Sequence, residues 1–211
     1  MFNQKLREET RKSLGISEDA WVLYYPGKFG DLYYKEAFAW MYKWLKEEEP
    51  RLHMLIVTPH SDGEVRGIFD RAEVLAKDYS IIHTSYDEIH KYHCAADFAI
   101  ISVPPAPSKK FISNIKVGEY LCAGLPFLIT KGVSEDYIYA KQKDVGVVVD
   151  DFVEQDIKNA WSEIKDYLER DKSTLRKHCR EVGLAYRGFD VLNVKFKEAL
   201  VSLTKEKKHA K

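Results

Sequence analysis

Between residues 113 and 126 the chain reads SNIKVGEYLCAGLP, which sets a lysine and a carboxylate, Lys116 and Glu119, three residues apart. On a helix that spacing puts both on one face. Ser113 is a residue type favoured at helix starts, and it follows a proline-rich loop. The free N–H groups of such a start, with Ser113 and Asn114 beside them, favour a phosphate. Lys116 would help neutralise a diphosphate there. Glu119, one turn further in, could accept two hydrogen bonds from the vicinal hydroxyls of a ribose. Ile115, Gly118, Cys122 and Leu125 fall on the other face, and Gly118 and Gly124 leave room for close packing and for a helix end. On spacing alone the commoner arrangement is a solvated Lys–Glu pair on an ordinary amphipathic helix, contributing only about 0.3 kcal/mol.

A second group lies in PGKFGDLYYKE, residues 26–36, where Gly27 and Gly30 flank Lys28 and Lys35 follows one turn into the next segment. Alone, GKFG is most often a tight turn with an exposed lysine. Neither GxxxxGK[ST] nor GxGxxG occurs, which removes a Walker A loop and an ordinary dinucleotide turn. His83, Thr84 and Ser85 close another apolar run. His90 and His93 sit three apart on the following helix and read as surface histidines. Nearby Cys94 and Asp97 do not complete a recognised ligand set, so no metal is expected. Glu135 and Asp136 follow Gly132, where a carboxylate could meet sugar hydroxyls or simply favour a helix start.

The elements that must position these residues alternate. Short apolar runs at 21–27, 52–59, 79–85, 97–105, 126–130 and 145–151 are separated by helical segments at 32–49, 62–77, up to about 96, 114–123 and 135–142. Further helices are expected at 154–170, 172–182 and 191–204. The runs are nearly continuous in apolar character, as for parallel strands covered on both faces. The expectation is an α/β fold: one Rossmann-like, doubly wound parallel sheet of about six strands with C-terminal helices. Ligands of such sheets bind at the carboxyl ends of the strands. One domain should span 1–204, with 205–211 a disordered basic tail.

Composition agrees with a globular domain: 211 residues, 45% hydrophobic and 31% charged, with 33 basic and 33 acidic side chains. The formal net charge of zero gives no global attraction to nucleic acid or to an anionic membrane. Three isolated cysteines argue against a disulfide framework, and a reducing cytoplasm is the simplest setting. The amino terminus lacks the apolar stretch of a signal peptide, and no run reaches the roughly 20 apolar residues of a membrane span.

The 113–126 stretch resembles the signature of GT-B glycosyltransferases of the group 1, or family four, type, variants of S-P-x-K-x-x-E-Y-L-A-x-G-x-P. The matches are Ser113, Lys116, Glu119, Tyr120, Leu121, Gly124 and Pro126. RKSLGISEDAWVLYYPGKFG is similar to the opening of that family's C-terminal domain, HKYHCAADFAIIS to a later strand, and VGVVVDDF to its "Gvvv" strand. The resemblance covers about 11–203 and implies half of a GT-B fold, the donor-binding domain of a hexosyltransferase-type enzyme. It implies a UDP- or GDP-sugar as substrate, with no cofactor and no metal. It further implies retention at the transferred sugar, an acceptor that is a glycan or lipid-linked, and peripheral contact of the full-length protein with the inner membrane face.

By residue, the resemblance places Gly27, Lys28, Lys35, Ser113, Asn114 and Lys116 at the donor diphosphate and Glu119 on its ribose. His83, Thr84 and Ser85 fall at the base, and Glu135 and Asp136 at the sugar. Lys28 stands where the family has an arginine. Phe111 stands where many members have a second glutamate, so no catalytic carboxylate is assigned. The acceptor-binding N-terminal domain of the family has no counterpart in these residues, and the chain alone is expected to be inactive. Two other readings stay open: a non-catalytic nucleotide-binding or assembly domain, and a flavodoxin-like or epimerase-like domain with a phosphate ligand.

Overall fold

The computed structural model describes residues 2–209, with side chains described through residue 202. Six strands, β1 (Trp21–Pro26), β2 (Leu52–Val57), β3 (Tyr79–Ile82), β4 (Phe98–Ile100), β5 (Phe127–Thr130) and β6 (Gly146–Val149), form one sheet in the order β3-β2-β1-β4-β5-β6. Every pairing is parallel. β1, WVLYYP, is buried at every position, which is what a central strand covered on both faces requires. The strand order reverses between β1 and β4. In parallel α/β sheets the crevice outside the carboxyl ends of the two strands at such a switch point is where ligands bind.

Nine helices flank the sheet among the described residues: α1 (Gln4–Ser13), α2 (Glu36–Glu48), α3 (Asp62–Arg71), α4 (Ile89–Ala95), α5 (Ile115–Cys122), α6 (Asp136–Gln142), α7 (Glu154–Glu169), α8 (Lys172–Arg187) and α9 (Phe189–His209). The helix expected from residue 32 starts only at Glu36. Asp31 takes a left-handed φ of 54° and Tyr34 donates its N–H to the Ser102 carbonyl (3.1 Å), so residues 31–34 are tied to the neighbouring loop. The helix expected to reach residue 77 stops at Arg71, because Glu73 has a φ of 57°. The basic tail expected from residue 205 lies outside the residues whose side chains are described; α9 extends over its first part, and residues 210 and 211 are not described.

Apolar periodicity gave no sign of α1, because its buried face is Arg7, Thr10 and Arg11. The two guanidinium groups meet the buried carboxylate of Asp97 at 2.7 and 2.6 Å, and Asp97 also accepts the Val22 N–H at 2.9 Å. Arg7 donates to the carbonyls of Ala95 and Ala96 at the end of α4, and Arg11 to those of Ala95 and Ala20. Burial alone would raise the Asp97 pKa, but Arg7, Arg11 and Lys172 together hold it at about 2. This network anchors α1 beneath β1 and β4, at the end of the sheet opposite the crevice.

Candidate functional site

The crevice is built on α5. Its start is not capped by Ser113: the cap position is Asn114, no side chain caps the helix, and the Asn114 Nδ2 is buried without a hydrogen-bond partner. The Ser113 hydroxyl instead accepts from Arg187 at 2.8 Å. The face of α5 that packs on the sheet is Val117, Tyr120 and Leu121, whereas Ile115, expected on the opposite face to Lys116, is 76% exposed. Lys116 and Glu119 lie on neither extreme; both are half-buried at the rim of the crevice.

Lys116 is brought against the turn after β1. Its Nζ lies over the rings of Tyr33 and Tyr25, 4.5 and 5.3 Å from their centroids. A Cβ on Gly27 would stand 2.6 Å from that Nζ and 2.8 Å from the Tyr25 ring, so only glycine fits beside the ammonium. The aromatic faces attract the cation but do not solvate it as water would. Burial accordingly lowers its pKa to about 8, with the Glu119 charge opposing the shift. Gly27 and Lys116, far apart in sequence, thus form one positively charged corner at the switch point.

Lys28 and Lys35 are both exposed, and the Lys35 ammonium lies 3.9 Å from Glu36. The turn carrying them is fixed by its backbone: Tyr25 donates to the Lys28 carbonyl, Phe29 N–H to His60 Nε2 at 3.2 Å, and Gly30 takes a φ of 81°. Two flexible cations therefore project from a rigid turn.

The loop after β3 carries the residues expected near the base. His83 bonds the Thr58 carbonyl through Nδ1 (2.9 Å) and Asp62 through Nε2 (2.7 Å), and the Asp62 bond raises its pKa. Ser85 is exposed and Thr84 half-buried. Tyr86, which sequence reasoning did not single out, donates its hydroxyl to Glu119 at 3.3 Å. On α4, His90 is exposed, but His93 is not the surface residue expected. It is buried edge-on against Tyr24 and Tyr120, and burial lowers its pKa to about 4, leaving it neutral.

At the turn after β5, Glu135 is exposed, but Asp136 is fully buried. Its carboxylate accepts from Arg187 (2.8 Å), Tyr186 (3.0 Å) and Ser134 (2.5 Å). Asp136 is therefore an internal anchor held by three side-chain donors, and of the two carboxylates only Glu135 is exposed to meet a ligand. Arg187, at the end of α8, is the link that the sequence concealed. It joins Ser113, in the loop after β4, to Asp136, in the turn after β5. Phe111 is 81% exposed beneath the Lys110 ammonium, 4.8 Å from its ring centroid. No group of three or more metal-binding side chains occurs among the described residues, and none of their helices is long and apolar enough to cross a membrane.

The sequence matches no family profile and no curated protein. Solved structures match strongly in shape. Against WaaG, a glycosyltransferase involved in lipopolysaccharide biosynthesis, the TM-score is 0.63 at 16% identity, over 89% of this chain and 49% of that one. Against HepE of Anabaena, solved with UDP and glucose, it is 0.71 at 16% identity, over 95% and 53%. The C-terminal domain of the group 1 glycosyltransferase LpcC from Francisella tularensis is matched over 92% of this chain and 93% of that domain, at 13% identity and a TM-score of 0.58. The fold is that of a GT-B C-terminal half. The chain spans about half the length of WaaG and HepE, and nearly all of the LpcC domain. At the carboxyl end of β1 Gly27 meets Lys116, and Asn114 and Glu119 stand at the start and one turn further along the same helix α5.

Proposed function

We propose that this chain is the donor-binding domain of a glycosyltransferase and takes a nucleoside-diphosphate sugar, UDP- or GDP-linked, at the β1/β4 crevice. One observation carries the reading: the Lys116 ammonium stands against Gly27 at the switch point, beside an uncapped helix start and one turn from Glu119. A diphosphate at that corner would meet a fixed cation and unpaired N–H donors. Lys28 and Lys35 would close on it from the β1–α2 turn. The ribose diol would then reach Glu119, the base would lie along residues 83–85, and the sugar would extend towards Glu135. As the glycosidic bond breaks, negative charge grows on the departing diphosphate, and preorganised cations stabilise that charge without having to rearrange.

The transferred unit is read as a hexose, with retention, no metal and no further cofactor, and the acceptor as a glycan or lipid-linked hydroxyl bound by a separate domain. The HepE structure, with its UDP and glucose, supports this substrate class. Calorimetric titration of the chain with UDP and GDP tests the reading. Saturable binding to at least one is expected, weakened about tenfold or more by Glu119→Ala through loss of a charge-assisted contact. Absence of saturable binding to both overturns it. Phe111, exposed where the resembling enzymes have a glutamate, favours one second reading, a binding module without transfer chemistry. Nucleotide binding without donor turnover, even after an acceptor-binding domain is supplied, would favour that alternative.

A further inference from the structure

Tyr86 opens the short 3-10 turn Tyr86–Glu88 after β3, and its ring is 74% exposed. An exposed aromatic ring on a polar turn gains little from its surroundings, yet this one is aimed at a particular partner. Its hydroxyl spans from the β3 loop to α5 and donates to Glu119 Oε1 at 3.3 Å, the long end of hydrogen bonding. The Glu119 charge in turn raises the phenol pKa, which keeps it a donor. Tyr86 and Glu119 together line a groove of about 350 Å³ between α4 and α5, with Ile89, His90, His93 and Arg180 further along it. The loop is pinned from the other side, where His83 bonds Thr58 and Asp62, so the position of Tyr86 is set by the fold.

We propose that Tyr86 is the nucleoside-recognition residue of the crevice: its hydroxyl competes with the ribose diol for Glu119, and its ring stacks on the base once the diol has displaced it. The proposal rests on the reading of Glu119 as the ribose carboxylate. A diol offers two donors to the carboxylate where the phenol offers one, so exchange favours the ligand. The displaced ring need swing only a short way to lie against a base leaving the ribose towards residues 83–85. Every nucleobase has an aromatic face, so such a residue strengthens binding of nucleosides in general and leaves the choice among bases to the loop backbone.

The two roles push affinity in opposite directions and can be separated. Tyr86→Phe removes the competing hydroxyl and keeps the ring, and is expected to tighten UDP and GDP binding about threefold, the size of one modest hydrogen bond. Tyr86→Ala removes both, and is expected to weaken binding about fivefold or more through lost stacking. Inorganic pyrophosphate, which has neither ribose nor base, should bind both variants as it binds the unaltered chain. Unchanged or weaker nucleotide binding by Tyr86→Phe overturns the competition, and unchanged binding by Tyr86→Ala overturns the stacking. A parallel change in pyrophosphate affinity would mean that Tyr86 acts through the fold, and would also overturn the proposal. If the unaltered chain binds nucleotide and Glu119→Ala weakens it while both Tyr86 variants are silent, this proposal alone falls. If the unaltered chain binds no nucleotide, the donor-site reading falls with it.

Discussion

Lys116 concentrates the tension between stability and binding in a single side chain. An ammonium half-buried between Tyr25 and Tyr33 is less well solvated than in water, and its pKa falls from 10.5 to about 8. The folded chain therefore loses this proton at lower pH than the unfolded chain does. On this group's account stability is lowest below pH 8, where both states are charged, and rises as the pH passes from about 8 towards 10.5. Lys116→Met, which keeps the stem and removes the charge, is expected to leave the urea midpoint at pH 7 unchanged or higher while weakening UDP or GDP binding about tenfold. In the unaltered chain nucleotide affinity should fall as the pH rises through 8; in Lys116→Met it should be flat there, and calorimetry at pH 7 and pH 9 distinguishes the two. Gly27→Ala places a methyl group 2.6 Å from the ammonium and 2.8 Å from the buried Tyr25 ring, so it should weaken the same binding and lower the urea midpoint as well. The residue types and the three-residue spacing of Lys116 and Glu119 were legible in the sequence. The tyrosines around Lys116 were not, because nothing in a single chain tells which of thirteen tyrosines a distant fold brings to one ammonium.

Among the elements, those with an apolar stripe were legible and those held by charge were not. β1 to β6 could be placed because a parallel strand buried on both faces must be apolar almost throughout. α1 could not, since Arg7 and Arg11 look like surface residues until Asp97 lies between them. Removing the shared carboxylate leaves two buried guanidinium groups without an anion, so Asp97→Ala is expected to destabilise the chain by about 3–5 kcal/mol in urea unfolding. The same carboxylate sets an acid limit. Its folded pKa of about 2 lies below the ordinary carboxylate value of 3.8, so its stabilisation is complete above pH 4 and is lost as the pH falls towards 2. α5 and α8 are joined by a second such device, with Gly183 allowing close approach to Leu121 and Arg187 reaching both Ser113 and Asp136. Arg187→Ala strands the fully buried Asp136 and frees Ser113, and should lower both stability and nucleotide affinity. Asp136→Asn, by contrast, should lower stability with less effect on affinity, because Arg187 can still hold Ser113.

On the scale of the whole molecule, these anchors mark how far along the chain the packing around the candidate site extends. The carboxyl ends of β1, β3, β4 and β5 supply the crevice, and the last residue tied to it is Arg187. Beyond Gly188 the chain turns into α9, where Phe189, Leu192, Val194, Phe196, Leu200 and Val201 are all about half exposed or more and the main packing is against the end of α8. The sequence marked this segment as helical, but its own pattern could not show that the apolar residues would lie outside the core. Helices of globular domains are held mainly by burial of an apolar face, and the described side chains of α9, through residue 202, bury little of one. A chain ending at Gly188 should accordingly unfold in one cooperative transition with a urea midpoint equivalent to within about 0.5 kcal/mol of the longer chain. It should bind UDP or GDP with the same affinity, because every proposed ligand contact and the Arg187 anchor are retained. A loss of cooperativity, or a fall in nucleotide affinity with the fold intact, would show instead that α9 belongs to the same folding unit and acts on the candidate site through Arg187.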